Sequence, residues 1–99
     1  MALIESQKKY LRGLGHHLKP VVMIAESGLT DSVLQEFEST IAHHELIKVS
    51  VRVGDRAVRA GIIESLCASG PVELVQRIGN IALLYRANPQ KKKRINLPN

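Results

Sequence analysis

The chain has 99 residues, of which 44% are hydrophobic and 23% are charged, a composition typical of one globular domain. No apolar run approaches the roughly 20 residues that cross a bilayer, and one cysteine cannot form an internal disulfide. The first residues have neither a basic leader nor a long apolar segment, so we expect no secretion. We therefore expect a single cytoplasmic domain, and the net charge of +5 makes nucleic acid the first partner to test.

The first predicted element is a basic amphipathic helix over residues 3–15. Its leucines follow helical spacing, and its basic side chains fall on the other side, at Lys8, Lys9, Arg12 and His16. Glycines weaken the end of this helix and Pro20 prevents its continuation. We expect the helix to end near Gly15 and a strand to begin just after Pro20.

Residues 21–30 have the pattern of a buried strand that passes through a very short loop into a helix N-terminus. Thr30 is a good cap for that helix. A helix N-terminus offers unpaired backbone N–H groups and the positive end of the peptide dipoles, so phosphates bind there readily. The candidate phosphate contacts are the backbone N–H groups of Ser27, Gly28, Leu29 and Thr30.

The second helix carries an apolar stripe that predicts its buried side, made of Leu29, Val33, Leu34, Phe37 and Ile41. Residues 25–47 contain five acidic residues and no Lys or Arg, so we expect the fold to have an acidic side and a basic side. Residues 47–53 then alternate as a strand with one buried face. Lys48, Ser50 and Arg52 lie on the exposed face of this predicted strand.

The rest of the chain predicts a third helix, a hairpin and a tail. Asp55 can cap a helix over residues 56–69, which Gly70 in a left-handed conformation and Pro71 would end. Residues 72–78 and 81–86 are strands joined by a tight turn at residues 79–80. Residues 88–99 have little to bury, so we expect a flexible basic arm after a domain of residues 1–87.

The predicted order is α-β-α-β-α-β-β. Two crossover connections and a closing hairpin imply a mixed four-stranded sheet with helices packed against it. We therefore expect a single-domain α/β (α+β) fold, arranged as a two-layer sandwich.

Residues that could perform catalysis or hold a metal are few. The histidines form the adjacent pairs His16-His17 and His43-His44, which lack the four-residue spacing of a helical metal site and are better suited to meet helix-end carbonyls. Cys67 fits a small packing residue. Glycine-rich nucleotide loops are absent. We expect no enzyme, no metal and no cofactor.

Polyanion binding is the function that the charge pattern favours most. The candidate contacts are a first-helix patch, two strand residues and a tail block, namely Lys8, Lys9, Arg12 and Lys19, then Lys48 and Arg52, then Lys91, Lys92, Lys93 and Arg94. Aromatic residues are few, so backbone and shape contacts should dominate. Three alternatives stay open: charges that only solvate the surface, a module in which the acidic helix over residues 31–45 docks on a ribosomal protein, and a metal-dependent hydrolase using the histidine pairs.

Four short motifs also resemble a known family. They are Leu18-Lys19-Pro20-Val21-Val22, Gly28-Leu29-Thr30, His44-Glu45-Leu46-Ile47-Lys48-Val49, and Val75-Gln76-Arg77-Ile78-Gly79 with Leu83-Leu84-Tyr85-Arg86. In order and spacing over about residues 3–86, they resemble the CRM domain in its free-standing bacterial form, the YhbY type. The resemblance implies an RNA-binding module, similar in fold to the C-terminal domain of translation initiation factor three and associated with precursors of the large ribosomal subunit.

The chain departs from this family at one loop. The family carries a G-x-x-G loop between the first strand and the second helix, and the matching residues here are Ala25-Glu26-Ser27-Gly28. Ala25 restricts the backbone and Glu26 repels phosphate. The sequence therefore favours the basic helix, the strand residues and the tail over this loop as the RNA contacts.

Overall fold

The computed structural model describes residues 3–99. Its elements are α1 (Glu5–Gly15), β1 (Pro20–Ile24), α2 (Asp31–His44), β2 (Leu46–Val51), α3 (Arg56–Ala68), β3 (Glu73–Ile78) and β4 (Ile81–Tyr85). The predicted order is confirmed. Element boundaries differ from the predicted ones by one or two residues, as expected where helix and strand ends are assigned.

Two of the three predicted helix signals are confirmed. The Thr30 side chain accepts a hydrogen bond from the Val33 N–H at 3.2 Å, and Asp55 accepts one from the Val58 N–H at 3.0 Å. The prediction of a left-handed Gly70 is wrong. Among the described glycines, only Gly28 and Gly79 have a positive φ. Instead, α3 ends where the Ser69 hydroxyl donates to the Leu66 carbonyl at 2.7 Å.

The four strands form one mixed sheet in the order β1-β2-β4-β3. β1 and β2 are parallel, and the two other pairs are antiparallel. Ile78 pairs with Ile81 across the two-residue turn, where Gly79 has φ +59°. A positive φ at the first turn position matches the right-handed twist of the two strands, which confirms the predicted hairpin.

The sheet buries side chains on both faces. On one face α2 and α3 cover a large core that includes Phe37, Ile41 and Leu66. On the other face, α1 packs Leu11 against a smaller cluster formed by Leu46, Val75, Leu83 and Tyr85. The predicted mixed sheet with packed helices is confirmed, and α1 adds a partial third layer on the second face.

The central strand β2 has less exposed surface than the alternation predicted. β2 lies between β1 and β4 and under α1, so Ser50 is buried and Lys48 is half-buried. The expectation of one fully exposed β2 face is therefore wrong. Gly15 allows α1 to approach this closely, because a Cβ there would lie 2.6 Å from Leu83 Cδ2.

The C-terminal tail is not a free arm, which corrects the prediction for residues 88–99. Ile95 and Leu97 pack against the smaller core cluster. The Gln7 side chain donates to the Pro98 carbonyl at 3.1 Å, and the buried Glu45 carboxylate holds two backbone N–H groups of the tail. Apolar contacts and a buried carboxylate that the sequence did not reveal fix the tail in place.

Candidate nucleic-acid interface

An open groove of about 690 Å³ lies between α1 and the sheet face that α1 only partly covers. The residues lining it come from α1, β2, β3 and β4, namely Lys9, Arg12, Gly13, His16, Lys48, Gln76, Ile78, Ile81 and Leu83. Three of these side chains are cations at neutral pH. The groove therefore brings together basic residues that are 36 to 39 positions apart in the chain.

Helix geometry explains the basic wall of the groove. Leu11 is buried against the sheet, and Lys9, Arg12 and His16 follow one another at intervals of three and four residues, so they lie on one side of α1. The sequence predicted that the basic residues of α1 lie away from its leucines. In the structure, that basic side of α1 faces the groove.

Strand register explains the floor of the groove. Lys48 of β2 pairs with Leu83 of β4, and Leu83 pairs with Gln76 of β3. These three side chains therefore form one row across the sheet. Lys48 stands at the end of this row nearest β1, half-buried between α1 and the strands.

The charges of the groove have one sign. None of its lining residues in the described part of the chain is Asp or Glu. A concave surface that carries three cations and no acidic residue concentrates positive potential, because the fields of the three charges add. Such a surface binds polyanions, above all the phosphate backbone of nucleic acids.

Three further predicted contacts lie around the groove rather than in it. Lys8 is half-buried on α1. Lys19 is exposed, next to Pro20, whose Cα is the partner of Lys48. Arg52 is exposed beyond the end of β2, four residues or roughly 13 Å from Lys48 on the same face. The structure thus brings Lys9, Arg12 and Lys48 together and leaves these three at the margin.

The tail block lies at a different end of the sheet. Lys91 Nζ is 3.9 Å from the Glu45 carboxylate, and Arg94 lines a shallow depression beside Tyr85. Lys92 and Lys93 are exposed. The prediction of a mobile basic arm over residues 91–94 is wrong, because the flanking residues are bonded to the domain.

The loop before α2 offers less to a phosphate than the sequence predicted. The Gly28 N–H donates to the Ala25 carbonyl at 2.9 Å, and the Thr30 N–H donates to the Gly28 carbonyl at 3.1 Å. Two of the four predicted phosphate donors, those of Ser27, Gly28, Leu29 and Thr30, are therefore already used. Glu26 accepts a hydrogen bond from the Gly54 N–H at 3.0 Å, so its carboxylate stays at this loop.

The acidic segment is largely engaged within the protein. The Glu38 carboxylate binds the Arg86 guanidinium through two contacts of 2.6 and 3.1 Å, and Glu45 is buried. With Glu26 bound to Gly54, three of the five acidic residues predicted to form an acidic side have internal partners. Asp31 and Glu36 remain exposed on α2, so the acidic surface is small.

The His43-His44 pair and the cysteine lie outside the groove. His43 and His44 are exposed in the last turn of α2, with ring centroids 4.6 Å apart. Within residues 3–99, no group of three or more His, Cys, Asp or Glu side chains could hold a metal ion. Cys67 packs against the larger core, and burial raises the pKa of its thiol, which disfavours the reactive thiolate.

Six of the nine groove residues were not among the predicted contacts: Gly13, His16, Gln76, Ile78, Ile81 and Leu83. For those on β3 and β4, a signal was present in the predicted hairpin. A two-residue turn at Gly79 and Asn80 places Ile78 opposite Ile81, and strand alternation then puts Gln76 on the same face as Ile78.

The fold and this groove define a class of protein: a small α+β domain with a basic groove between its first helix and its sheet. The CRS1/YhbY (CRM) domain family matches residues 3–86, and the chain belongs to this family. The predicted family resemblance is thereby confirmed.

Similar proteins span nearly the whole chain. A protein of Pseudomonas aeruginosa named "probable RNA-binding protein" is 47% identical over 96 residues, which cover 97% of this chain and 92% of that protein. An RNA-binding protein of Haemophilus influenzae is 46% identical, with 97% of this chain and 95% of that protein covered.

A solved structure supports the same assignment. The solution structure of a hypothetical protein of Staphylococcus aureus, provisionally described as RNA-binding, matches with a TM-score of 0.81 and 33% identity. The match covers 98% of this chain and all of that chain.

No helix within residues 3–99 is both long and apolar enough to cross a membrane.

Proposed function

We propose that this protein binds RNA, with the groove between α1 and the sheet as its principal contact surface. The observation that carries the proposal is the convergence of Lys9, Arg12 and Lys48 on one concave surface without an acidic lining residue. Lys and Arg side chains in such an arrangement neutralise neighbouring phosphates and release their counterions. The names of the relatives support RNA as the polyanion.

The RNA that we propose is that of the large ribosomal subunit precursor, and the role is to assist ribosome assembly in the cytoplasm. Membership of the CRM family supports this choice. Lys19 and Arg52 would extend the contact beyond the groove, and Lys92 and Lys93 would add long-range attraction from the tail end of the sheet. No catalytic step is part of the proposal.

The salt dependence of RNA binding tests the role of the groove. For the wild-type protein, the logarithm of the association constant should fall linearly with the logarithm of salt concentration. Lys9→Ala and Arg12→Ala should each weaken binding about three- to tenfold at moderate salt and reduce the slope by about 1. Arg77→Ala is the matched control, because Arg77 is exposed on β3 and does not line the groove.

Equal losses for Arg77→Ala and Lys9→Ala would show that net charge, not the groove, determines affinity. No binding to naked RNA at any salt concentration would contradict RNA binding and favour docking on a protein partner. Crosslinking in cells would test the finer proposal, because it identifies the RNA and the contacting peptide together. Recovery of unrelated RNAs in place of large-subunit ribosomal RNA would contradict the assembly role.

A further inference from the structure

A row of paired side chains crosses the sheet next to the basic groove, and it carries three apolar residues and one serine. Met23 of β1 pairs with Ser50 of β2, Ser50 with Ile81 of β4, and Ile81 with Ile78 of β3. All four residues project from the face that carries α1, since they alternate with residues buried under α2 and α3. Met23 is 55% exposed and Ile78 is 66% exposed. Ser50 lies between Met23 and Ile81 and is a buried polar residue. We call the three apolar residues, Met23, Ile78 and Ile81, the apolar row.

The apolar row is continuous with the basic groove. Ile78 and Ile81 line the groove together with Lys9, Arg12 and Lys48. Ser50 lies two residues beyond Lys48 on β2, a separation of about 6.6 Å, which is comparable to the span from a phosphate to the base of the same nucleotide. One surface therefore presents cations along one side and aliphatic side chains along the other.

We propose that the apolar row binds the bases of a short unpaired RNA segment whose phosphates contact Lys9, Arg12 and Lys48. This inference rests on the proposed function and adds the class of RNA. Bases of an unpaired segment have free faces, and their burial against aliphatic side chains removes apolar surface from water without aromatic stacking. An A-form duplex shows phosphates and hydroxyls to a protein and would leave Met23 and Ile78 without apolar contacts.

The size of the apolar row limits what can occupy it. The row crosses three gaps between strands, roughly 14 Å in all, which is room for two or three bases. A second copy of this chain is a poorer occupant, because three side chains fall far short of the roughly 800 Å² per partner in a stable interface. The three cations beside the row match an anionic partner in charge.

The test compares two RNAs at the same salt concentration: an oligouridylate of about ten nucleotides and a blunt A-form duplex of about ten base pairs. The variant is Met23→Thr with Ile78→Thr, which removes apolar contacts, keeps the charge and suits exposed strand positions. The matched control is Val58→Thr, which changes a 50% exposed side chain on α3. We expect the double variant to bind the oligouridylate about five- to tenfold more weakly and the duplex within twofold of wild type.

The two proposals fail in different ways. Unchanged oligouridylate affinity in the double variant, or an equal loss for both RNAs, would overturn the role of the apolar row alone. Failure of the wild-type protein to bind either RNA would overturn RNA binding and this inference together. Retained duplex binding shows that the double variant is folded.

Two further measurements locate the contact directly. The chain has two methionines, so the Met23 methyl signal is simple to assign by NMR. We expect the oligouridylate to shift the methyl signals of Met23 and Ile78 through the base ring currents, and the duplex to leave them in place. A wild-type dimer in sedimentation that the double variant converts to a monomer, or methyl signals unaffected by the oligouridylate, would contradict the inference.

Discussion

Glu45 Oε1 accepts a hydrogen bond from the backbone N–H of Ile95 at 2.8 Å, across fifty positions of the chain. The other carboxylate oxygen accepts one from the Asn88 N–H at 2.7 Å. Glu45 is 1% exposed and has φ +66°, a left-handed conformation that is rare outside glycine. The residue that ends α2 therefore also fixes the tail, and its backbone conformation is held by the surrounding structure.

Replacing Glu45 by Ala should release the tail and lower the free energy of unfolding by about 2 to 4 kcal/mol, because two hydrogen bonds to a buried carboxylate are lost. Chemical denaturation measures the stability, and trypsin cleavage at residues 91–94 measures tail release. Glu36→Ala is the control, since Glu36 is exposed on the same helix. Unchanged amide exchange at Ile95 in the Glu45→Ala variant would show that this carboxylate does not hold the tail.

The ion pair between Glu38 and Arg86 should make stability depend on pH. Hydrogen bonding to Arg86 lowers the pKa of Glu38, so the folded state binds this proton more weakly than the unfolded state. The stabilisation is present above the ordinary glutamate pKa and is lost as the pH falls through the lowered value. Because the Glu38 side chain is 41% exposed, we expect a contribution of about 1 kcal/mol.

Glu38→Gln tests this expectation through denaturation curves of both proteins at pH 7 and near pH 3. The variant should be less stable at pH 7, and the difference should shrink as the pH falls through the lowered pKa of Glu38, because the carboxyl group then becomes protonated. Glu64→Gln, at an exposed position of α3, is the control. A difference of equal size at both pH values would mean that ionisation of Glu38 is not the source of the effect.

Gly70 makes room for Arg86 rather than adopting a left-handed turn. A Cβ at position 70 would lie 2.5 Å from Arg86 Nη2. Gly70→Ala should displace the guanidinium from Glu38 and lower the free energy of unfolding by about 1 kcal/mol. Gly61→Ala should instead stabilise α3 by about 0.5 to 1 kcal/mol, because a Cβ there meets open space. Thermal unfolding that gives both variants the same sign would contradict this account.

Gly15 sets the distance between α1 and the sheet. A Cβ at this position would lie 2.6 Å from Leu83 Cδ2, and Leu83 is buried. Gly15→Ala should cost about 1 to 3 kcal/mol of stability through overpacking, and it should weaken RNA binding because α1 carries one wall of the groove. Gly61→Ala provides the control for affinity. If Gly15→Ala left both stability and affinity unchanged, the close approach of α1 would not shape the groove.

Local signals in the sequence were sufficient to predict the order and type of the helices and strands. Apolar periodicity identified the amphipathic helices, Thr30 and Asp55 marked two helix starts, and the Gly79-Asn80 pair marked the hairpin. Each signal operates within a few residues of chain, so neighbouring positions contain the information. The left-handed Gly70 was predicted wrongly, since α3 ends with the Ser69 hydroxyl on the Leu66 carbonyl and the glycine instead leaves space for Arg86, which is distant in sequence.

The candidate site depended on contacts that the sequence did not show. Lys9, Arg12 and Lys48 were all singled out as basic residues, but their meeting in one groove requires α1 to pack on the face opposite α2 and α3. The acidic side was overestimated because Glu26, Glu38 and Glu45 have partners far away along the chain. Charge can be counted along a sequence, whereas its neutralisation depends on tertiary contacts.

By itself, the sequence determined the order of the elements, the mixed sheet, the helix caps and the family. The tertiary structure alone decided that the tail is anchored by Glu45, that Lys48 faces α1, and that an apolar row lies beside the basic groove. Helix and strand patterns arise from interactions between near neighbours. Which faces meet depends on the packing of segments that are distant in sequence, and the groove exists only after α1 has packed on the sheet.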